Sequence, residues 1–191
     1  MRNIFLLMMM GLMAVQPVQA EDFTVSFYGG WAMDDKFSQM PWPGNWQTYD
    51  EGGHLAGAGV AYEALRFNNG RAALEVEGQV MRHWGYNNLW EGVLAGWLRW
   101  HDMPWDAYIE SSAAFGAGFS HFSKISPIEQ RRLTDQARTL GYLGIELTAA
   151  PPQREDWQGV LRIHHRSGAF GLINDVKGGS NYLVLGLRKI Y

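Results

Sequence analysis

The chain has 191 residues, a formal charge of -3, 47% hydrophobic and 18% charged residues, and no cysteine. That balance leaves no basic footprint for nucleic acid, too little charge for a disordered chain, and no thiol for a disulfide, a thiolate metal site or a cysteine nucleophile. Nine Trp, eight Tyr, nine Phe and 23 Gly instead favour antiparallel sheet over helix.

Residues 1–20 read as an export signal. Arg2 and Asn3 make a short polar start, Ile4 to Val15 are almost wholly apolar, and Val18-Gln19-Ala20 sets small residues at the two positions a signal peptidase reads. The apolar run is about 12 residues, short of the ~20 a membrane-crossing helix needs. A mature chain starting at Glu21 would keep roughly 171 residues, enough for one domain. No later segment reaches 18 consecutive apolar residues.

Eight strands are predicted at about 22–33, 54–66, 71–84, 88–101, 106–120, 138–149, 156–168 and 179–191. They exceed the ~5–6 residues usual for globular strands and suffice for a tilted bilayer crossing of ~9–11. The side chains alternate. In the third strand Leu74, Val76, Val80 and Trp84 share one face, and Glu75, Glu77, Gln79 and His83 the other. The fourth sets Trp90, Leu94, Leu98 and Trp100 against Glu91 and Arg99; the fifth sets Ile109, Ala113, Phe115 and Phe119 against Glu110 and Ser112. The sixth opposes Leu143, Ile145 and Leu147 to Tyr142, Glu146 and Thr148; the seventh opposes Trp157, Leu161 and Ile163 to Arg162, His164 and Arg166. In the eighth, Leu183, Leu185 and Leu187 face away from Arg188.

Charges within strands therefore gather on one face, where Glu63, Glu75, Glu77, Glu91, Glu110 and Glu146 can meet Arg99, Arg162, Arg166 and Arg188. An eight-stranded antiparallel up-and-down transmembrane β-barrel in a bacterial outer membrane, with an ion-paired lumen and an apolar wall, accounts for this. Trp84, Trp90, Trp100 and Trp157 near strand ends suit an interfacial aromatic girdle, and Tyr191 a closing strand, although Lys189 breaks its alternation. A soluble lipocalin-like lipid carrier would have the opposite polarity, apolar inside.

Periplasmic turns are expected at 68–70, 102–105 and 150–155, and outer loops at 34–53, 85–87, 121–137 and 169–178. Ser126 and Pro127 can open a short helix over 126–136, and Arg131-Arg132 sit in that loop as a pair able to meet phosphates. Gly116-Ala117-Gly118 lies inside a strand and reads as packing. The six histidines have no helical zinc spacing, and His164 and His165 alternate faces, so no metal and no organic cofactor is expected.

The seventh strand ends His164-His165-Arg166-Ser167-Gly168. Residues i and i+2 of a strand point the same way, so His165 and Ser167 share the face of Trp157, Leu161 and Ile163. On a lipid-facing wall they form a polar pair at the outer-leaflet end, suited either to an interface position or to activation of a serine by a histidine.

The stretch Arg162-Ile163-His164-His165-Arg166-Ser167-Gly168-Ala169-Phe170-Gly171, then Asn174-Asp175, then Ser180-Asn181-Tyr182-Leu183, resembles the C-terminal signature of the lipid A 3-O-deacylase family of outer-membrane barrels. The resemblance spans about 30 residues. It implies an esterase that removes an ester-linked acyl chain from lipid A or lipopolysaccharide of the outer leaflet, with His165 as base and Ser167 as nucleophile. The chain departs from that family twice. Gly168 stands where the family has an oxyanion-binding Asn, and no Glu follows Glu155 to serve as the acid. Asp175 in the last loop and Asn181 on the last strand are the candidates for that third role, and a backbone N–H at or near Gly168 would have to serve the oxyanion. The other expectation is a non-catalytic outer-membrane barrel that keeps the fold and a degenerate site.

Overall fold

The computed structural model describes residues 23–42, 44, 46–50, 52–130, 136–152, 154 and 156–191. The signal at 1–20, its boundary at Glu21 and the Arg131-Arg132 pair lie outside the described residues. Eight strands follow in order: β1 (Phe23–Met33), β2 (Gly53–Phe67), β3 (Ala72–Gly85), β4 (Leu89–Trp100), β5 (Glu110–Phe122), β6 (Thr139–Ala150), β7 (Trp157–Ser167) and β8 (Gly179–Ile190). Each pairs antiparallel with its sequence neighbours, and β1 closes on β8 from Thr24↔Ile190 to Met33↔Asn181, giving a closed barrel.

The alternation sets which side faces out. Burial along β4 switches at every residue, with Trp90, Leu94, Leu98 and Trp100 exposed and Glu91, Val93, Trp97 and Arg99 buried. Around the barrel Phe27, Val80, Phe115, Phe119 and Leu187 are exposed on the outside. The lumen carries Glu75, Glu77, Glu91, Glu146, Arg99, Arg162, Arg166 and Arg188, all buried. An apolar wall around an ionised lumen has its lower free energy in lipid, and closure leaves no strand edge unpaired there. The protein is an outer-membrane barrel; the soluble carrier, which needs the reverse polarity, is excluded by this arrangement.

The lumen is filled rather than open. Arg99 bridges Glu75 at 2.8 Å and Glu146 at 2.6 Å. Arg188 joins Glu75 at 2.6 Å, and Arg162 joins Glu146 through Nε at 2.7 Å and Glu77 at 3.1 Å. The Arg162 guanidinium lies 4.4 Å from the ring centre of Tyr28 and 4.5 Å from that of Trp97. Trp97 fits because Gly116 and Gly144 face it; a Cβ on either would come within 2.5 Å of the indole. Paired charges with aromatic neighbours are what makes such burial tolerable. Two expected partners differ. Among the described residues Glu91 bonds no arginine; it takes His83 at 2.8 Å and His164 at 3.0 Å. Arg166 pairs not with a strand carboxylate but with Glu129, at 2.8 Å.

Glu129 belongs to the helical turn α1 (Pro127–Gln130), which starts where the short helix over 126–136 was expected to open; residues 131–135 of that span lie outside the described residues. Ser126 caps it, its Oγ accepting from the Glu129 N–H at 3.3 Å, and the same hydroxyl donates to Asn87 at 2.9 Å. Rather than a solvated loop, this segment is a plug: Ile128 packs with Tyr49, Leu55, Met81 and Tyr182 inside the outer mouth.

The periplasmic end is tighter than the pattern implied. β5 starts at Glu110, not 106, because the Asp106 carboxylate accepts from the N–H groups of Met103 and Ser111 at 2.8 and 3.1 Å. That capped turn competes with strand over 103–109. At 68–70, Asn68, Asn69 and Gly70 all have positive φ, as the turn residues required. Trp100 and Trp157 sit at this end and Trp84 and Trp90 at the other, all exposed on the outside.

Candidate functional site

β7 lies between β6 and β8, with His165 opposite Leu143 and Asn181, and Ser167 opposite Gly141 and Gly179. The alternation turns His164 and Arg166 into the lumen and leaves His165 and Ser167 on the outer wall at its extracellular rim. Asn181 has the same outward parity on β8. Its Oδ1 lies 2.5 Å from His165 Nδ1, and its Nδ2 donates to the main-chain carbonyl of Asp35 at 2.6 Å. Asp35 fixes the amide orientation, because only an N–H₂ can face a carbonyl oxygen. The amide oxygen therefore faces the imidazole, which must hold its proton on Nδ1 and keep Nε2 as an acceptor, an assignment made from the network. The same contact explains the absence of a carboxylate: an Asp at 181 would set two acceptor oxygens against each other.

Asp175, the other candidate partner, is exposed in the turn after β7, with φ 58°. Neighbouring Asn174 ties that turn to β6 by donating to the Thr139 carbonyl at 2.7 Å. Asn181 holds the imidazole, and Asp175 stays in the loop.

Gly168 is placed by packing. Its N–H donates to the Gly178 carbonyl at 3.0 Å, and a Cβ there would meet the Val176 carbonyl oxygen at 2.0 Å. The expected oxyanion donor is thus engaged in the loop, and the N–H of Ala169 donates to Ser167 Oγ at 3.5 Å. Ala169 and Phe170, in the 3-10 turn Ala169–Gly171, have φ of 49° and 61°. Left-handed conformations in residues with a Cβ cost on the order of 1–3 kcal/mol each and collect where geometry matters. Among the described residues no hydrogen bond joins Ser167 to His165.

What the sequence pattern missed is the loop after β1. It is not a free outer loop. The hairpin continues past Met33 through Asp34 N–H to the Gln47 carbonyl at 2.8 Å, and Phe37, Met40 and Trp46 fold onto Met33, Ile163, Ile145 and Leu183. Phe37 stacks on the His165 ring, 4.3 Å between centres and 25° between planes. Apolar residues at 37, 40, 42 and 46 of a supposedly solvated loop were the available signal. Among the described residues no cluster of three His, Asp or Glu is placed to hold a metal ion.

A closed eight-stranded barrel with lipid-facing wall and a polar group of residues on the outer rim defines the class: an outer-membrane barrel with a candidate site on its outside. No family model matches the chain, and no curated sequence matches it. Among solved structures it is similar to Neisserial surface protein A, with 12% identity over 88% of this chain and 97% of that one and a TM-score of 0.52. It is also similar to the outer membrane protein OprG from Pseudomonas aeruginosa (10% identity, 93% and 99% covered, TM-score 0.45). A third is the outer membrane protein AlkL (11% identity, 92% and 95% covered, TM-score 0.41). At these identities the likeness concerns the fold.

Proposed function

We propose that this protein is an esterase of the outer leaflet, hydrolysing an ester-linked acyl chain of lipid A. The observation that carries the reading is the chain of contacts from the Asp35 carbonyl through Asn181 to His165 Nδ1, which leaves Nε2 as a base on the outer wall. A general base placed there meets the ester bonds of membrane lipid before any soluble substrate.

The chemistry follows from the named atoms. A shift in side-chain rotamers brings Ser167 Oγ to His165 Nε2. Oγ attacks the ester carbonyl carbon as its proton passes to Nε2, and negative charge develops on the former carbonyl oxygen. The Ala169 N–H stabilises that oxygen. Collapse breaks the bond to the sugar oxygen, which takes the proton from Nε2 and leaves as the alcohol. Water, deprotonated by the same nitrogen, then releases the fatty acid from the acyl-serine. Asn181 orients the ring as a carboxylate would but supplies no negative charge to the imidazolium, so turnover is slower than with an acid in that place.

A second reading, the non-catalytic barrel, draws on two specific observations. Ser167 and His165 share no hydrogen bond, and Phe37 covers the imidazole. Mass spectrometry of lipid A from cells expressing wild type, Ser167→Ala and His165→Ala separates the two. Hydrolysis predicts loss of one acyl chain with wild type and its retention with either variant. Unchanged lipid A in cells carrying folded wild type, or equal deacylation by Ser167→Ala, refutes the esterase and leaves the non-catalytic barrel.

A further inference from the structure

The periplasmic ends of β1, β2, β3, β4 and β8 enclose a cavity of about 30 Å³ at the mouth of the lumen. A water needs upward of ~10–15 Å³, so this space admits one or two waters or a single monoatomic ion. The charges around it are unequal: Arg66, Arg99 and Arg188 line it against Glu63 and Glu75. Glu63 is taken by Arg66 at 2.7 Å, which leaves Glu75 to serve both Arg99 at 2.8 Å and Arg188 at 2.6 Å. Glu146, which completes the balance, lies outside the cavity wall and is shared with Arg162. Three residues of the wall also carry a buried polar atom with no hydrogen-bond partner among the described residues: Thr24 Oγ1, Arg188 Nε and His101 Nε2. Thr24 and Arg188 are only 5% and 6% exposed, so bulk water does not satisfy them. Buried polar atoms without a partner are rare in folded proteins and mark a bound water or ion.

We propose that this cavity binds a single halide ion, such as chloride. Arg188 Nε is a donor in every protonation state, so the occupant must accept a hydrogen bond. The Thr24 hydroxyl can turn to donate, and the imidazole of His101 can present an N–H at Nε2. A metal cation would meet the surplus guanidinium and a fixed N–H, and a polyatomic anion such as sulfate exceeds the space. Between water and halide the surplus positive charge decides, because a buried pairing of opposite charges is screened little by salt. His101 makes the site sensitive to pH. Its main-chain N–H donates to the Arg71 carbonyl at 2.8 Å. The charges around its ring are Arg66 and Glu63 of β2, Glu75 of β3 and Arg99 of β4, with Arg188 of β8 on the same cavity. Arg71 and Asp102 pair with each other at 3.0 Å and are exposed. Burial, with Arg99 and Arg66 nearby, keeps this imidazole neutral down to about pH 4. A bound halide favours the imidazolium, and the imidazolium favours the halide by the same factor. Proton and halide therefore enter together, without net charge. The site lies at the opposite end of the barrel from His165 and is independent of ester hydrolysis.

The test follows the His101 ring C–H resonance of the folded barrel in zwitterionic detergent micelles by NMR, assigned with His101→Gln. The pH is varied in chloride, bromide, gluconate and sulfate at one ionic strength. The expected midpoint is near 4 in gluconate and sulfate. In saturating chloride or bromide it is higher by about one unit, the size of shift that an opposite charge within ~4–6 Å produces. By reciprocity the protonated site then holds halide about tenfold more tightly than the neutral one. Thr24→Val removes one donor and breaks no existing bond, in a strand position that a β-branched residue fits. It weakens the halide dependence about tenfold while the strand resonances stay in place. Equal midpoints in gluconate, chloride and bromide mean that the cavity holds water only, and overturn the proposal. A rise of the same size in sulfate is charge screening and overturns it too, as does wild-type halide dependence in folded Thr24→Val. The comparison of anions on the wild-type protein stands without the variant.

Discussion

Phe37→Ala tests the packing of the first outer loop over His165. The ring sits on the imidazole at 4.3 Å and helps bury Ile163 and Met40. Complete burial of a Phe side chain is worth ~1.5–3 kcal/mol, and Phe37 is mostly covered, so truncation removes about 2 kcal/mol of loop docking. At about 1.4 kcal/mol per decade this raises the open fraction of the loop roughly thirtyfold. Diethylpyrocarbonate modifies accessible neutral imidazoles, and peptide mass spectrometry reads each site. His121, exposed on β5, serves as the internal reference. The expectation is that His165 is acylated roughly thirtyfold faster in the variant while His121 keeps its rate. If opening is rapid relative to modification, the rate follows the open population. A His165 rate within about twofold of wild type would refute the claim that the loop gates this imidazole.

Two further outcomes follow. Replacing Arg162 by Met leaves Glu77 and Glu146 without one buried cation, though Arg99 and Tyr28 still bond them at 2.6 and 2.7 Å. Breaking a buried pair costs ~3–5 kcal/mol, and the remaining partners place this one at the lower end. Urea unfolding in lipid vesicles checks it, and a loss under about 1 kcal/mol would mean that water screens the lumen. At the periplasmic end, burial, with Arg99 and Arg66 nearby, holds His101 down at about 4. The unfolded chain, at the ordinary 6.5, takes up the proton first as pH falls. This group's share of stability is therefore whole above pH 6.5 and is lost toward pH 4. His101→Gln should flatten the pH dependence of unfolding over that window; an unchanged slope contradicts the assignment.

The strand pattern was legible because a barrel wall separates two media. Each strand must alternate, and the alternation survives even where local propensity is weak, as through Gly92 and Gly96 of β4. The boundaries of 103–109 and the fate of 126–130 were not legible. In the first, Asp106 captures two N–H groups that a strand would have used. In the second, Glu129 looks like a surface residue until the barrel mouth brings Arg166 and Ser180 to it, at 2.8 and 3.0 Å. The candidate site divides likewise. The shared face of His165 and Ser167 follows from a two-residue period, whereas the choice between Asp175 and Asn181 depended on how β8 registers against β7.

Periodicity along the chain was enough to determine eight crossings, a charged side and an oily side, and a histidine and a serine on the latter. Only the folded barrel decided that the oily side faces out, that Asn181 rather than Asp175 holds the imidazole, and that Phe37 lies on it. Period is a property of neighbours two residues apart, while each of those outcomes joins residues 16 to 146 positions apart. Such contacts exist only after closure has set the register of every strand.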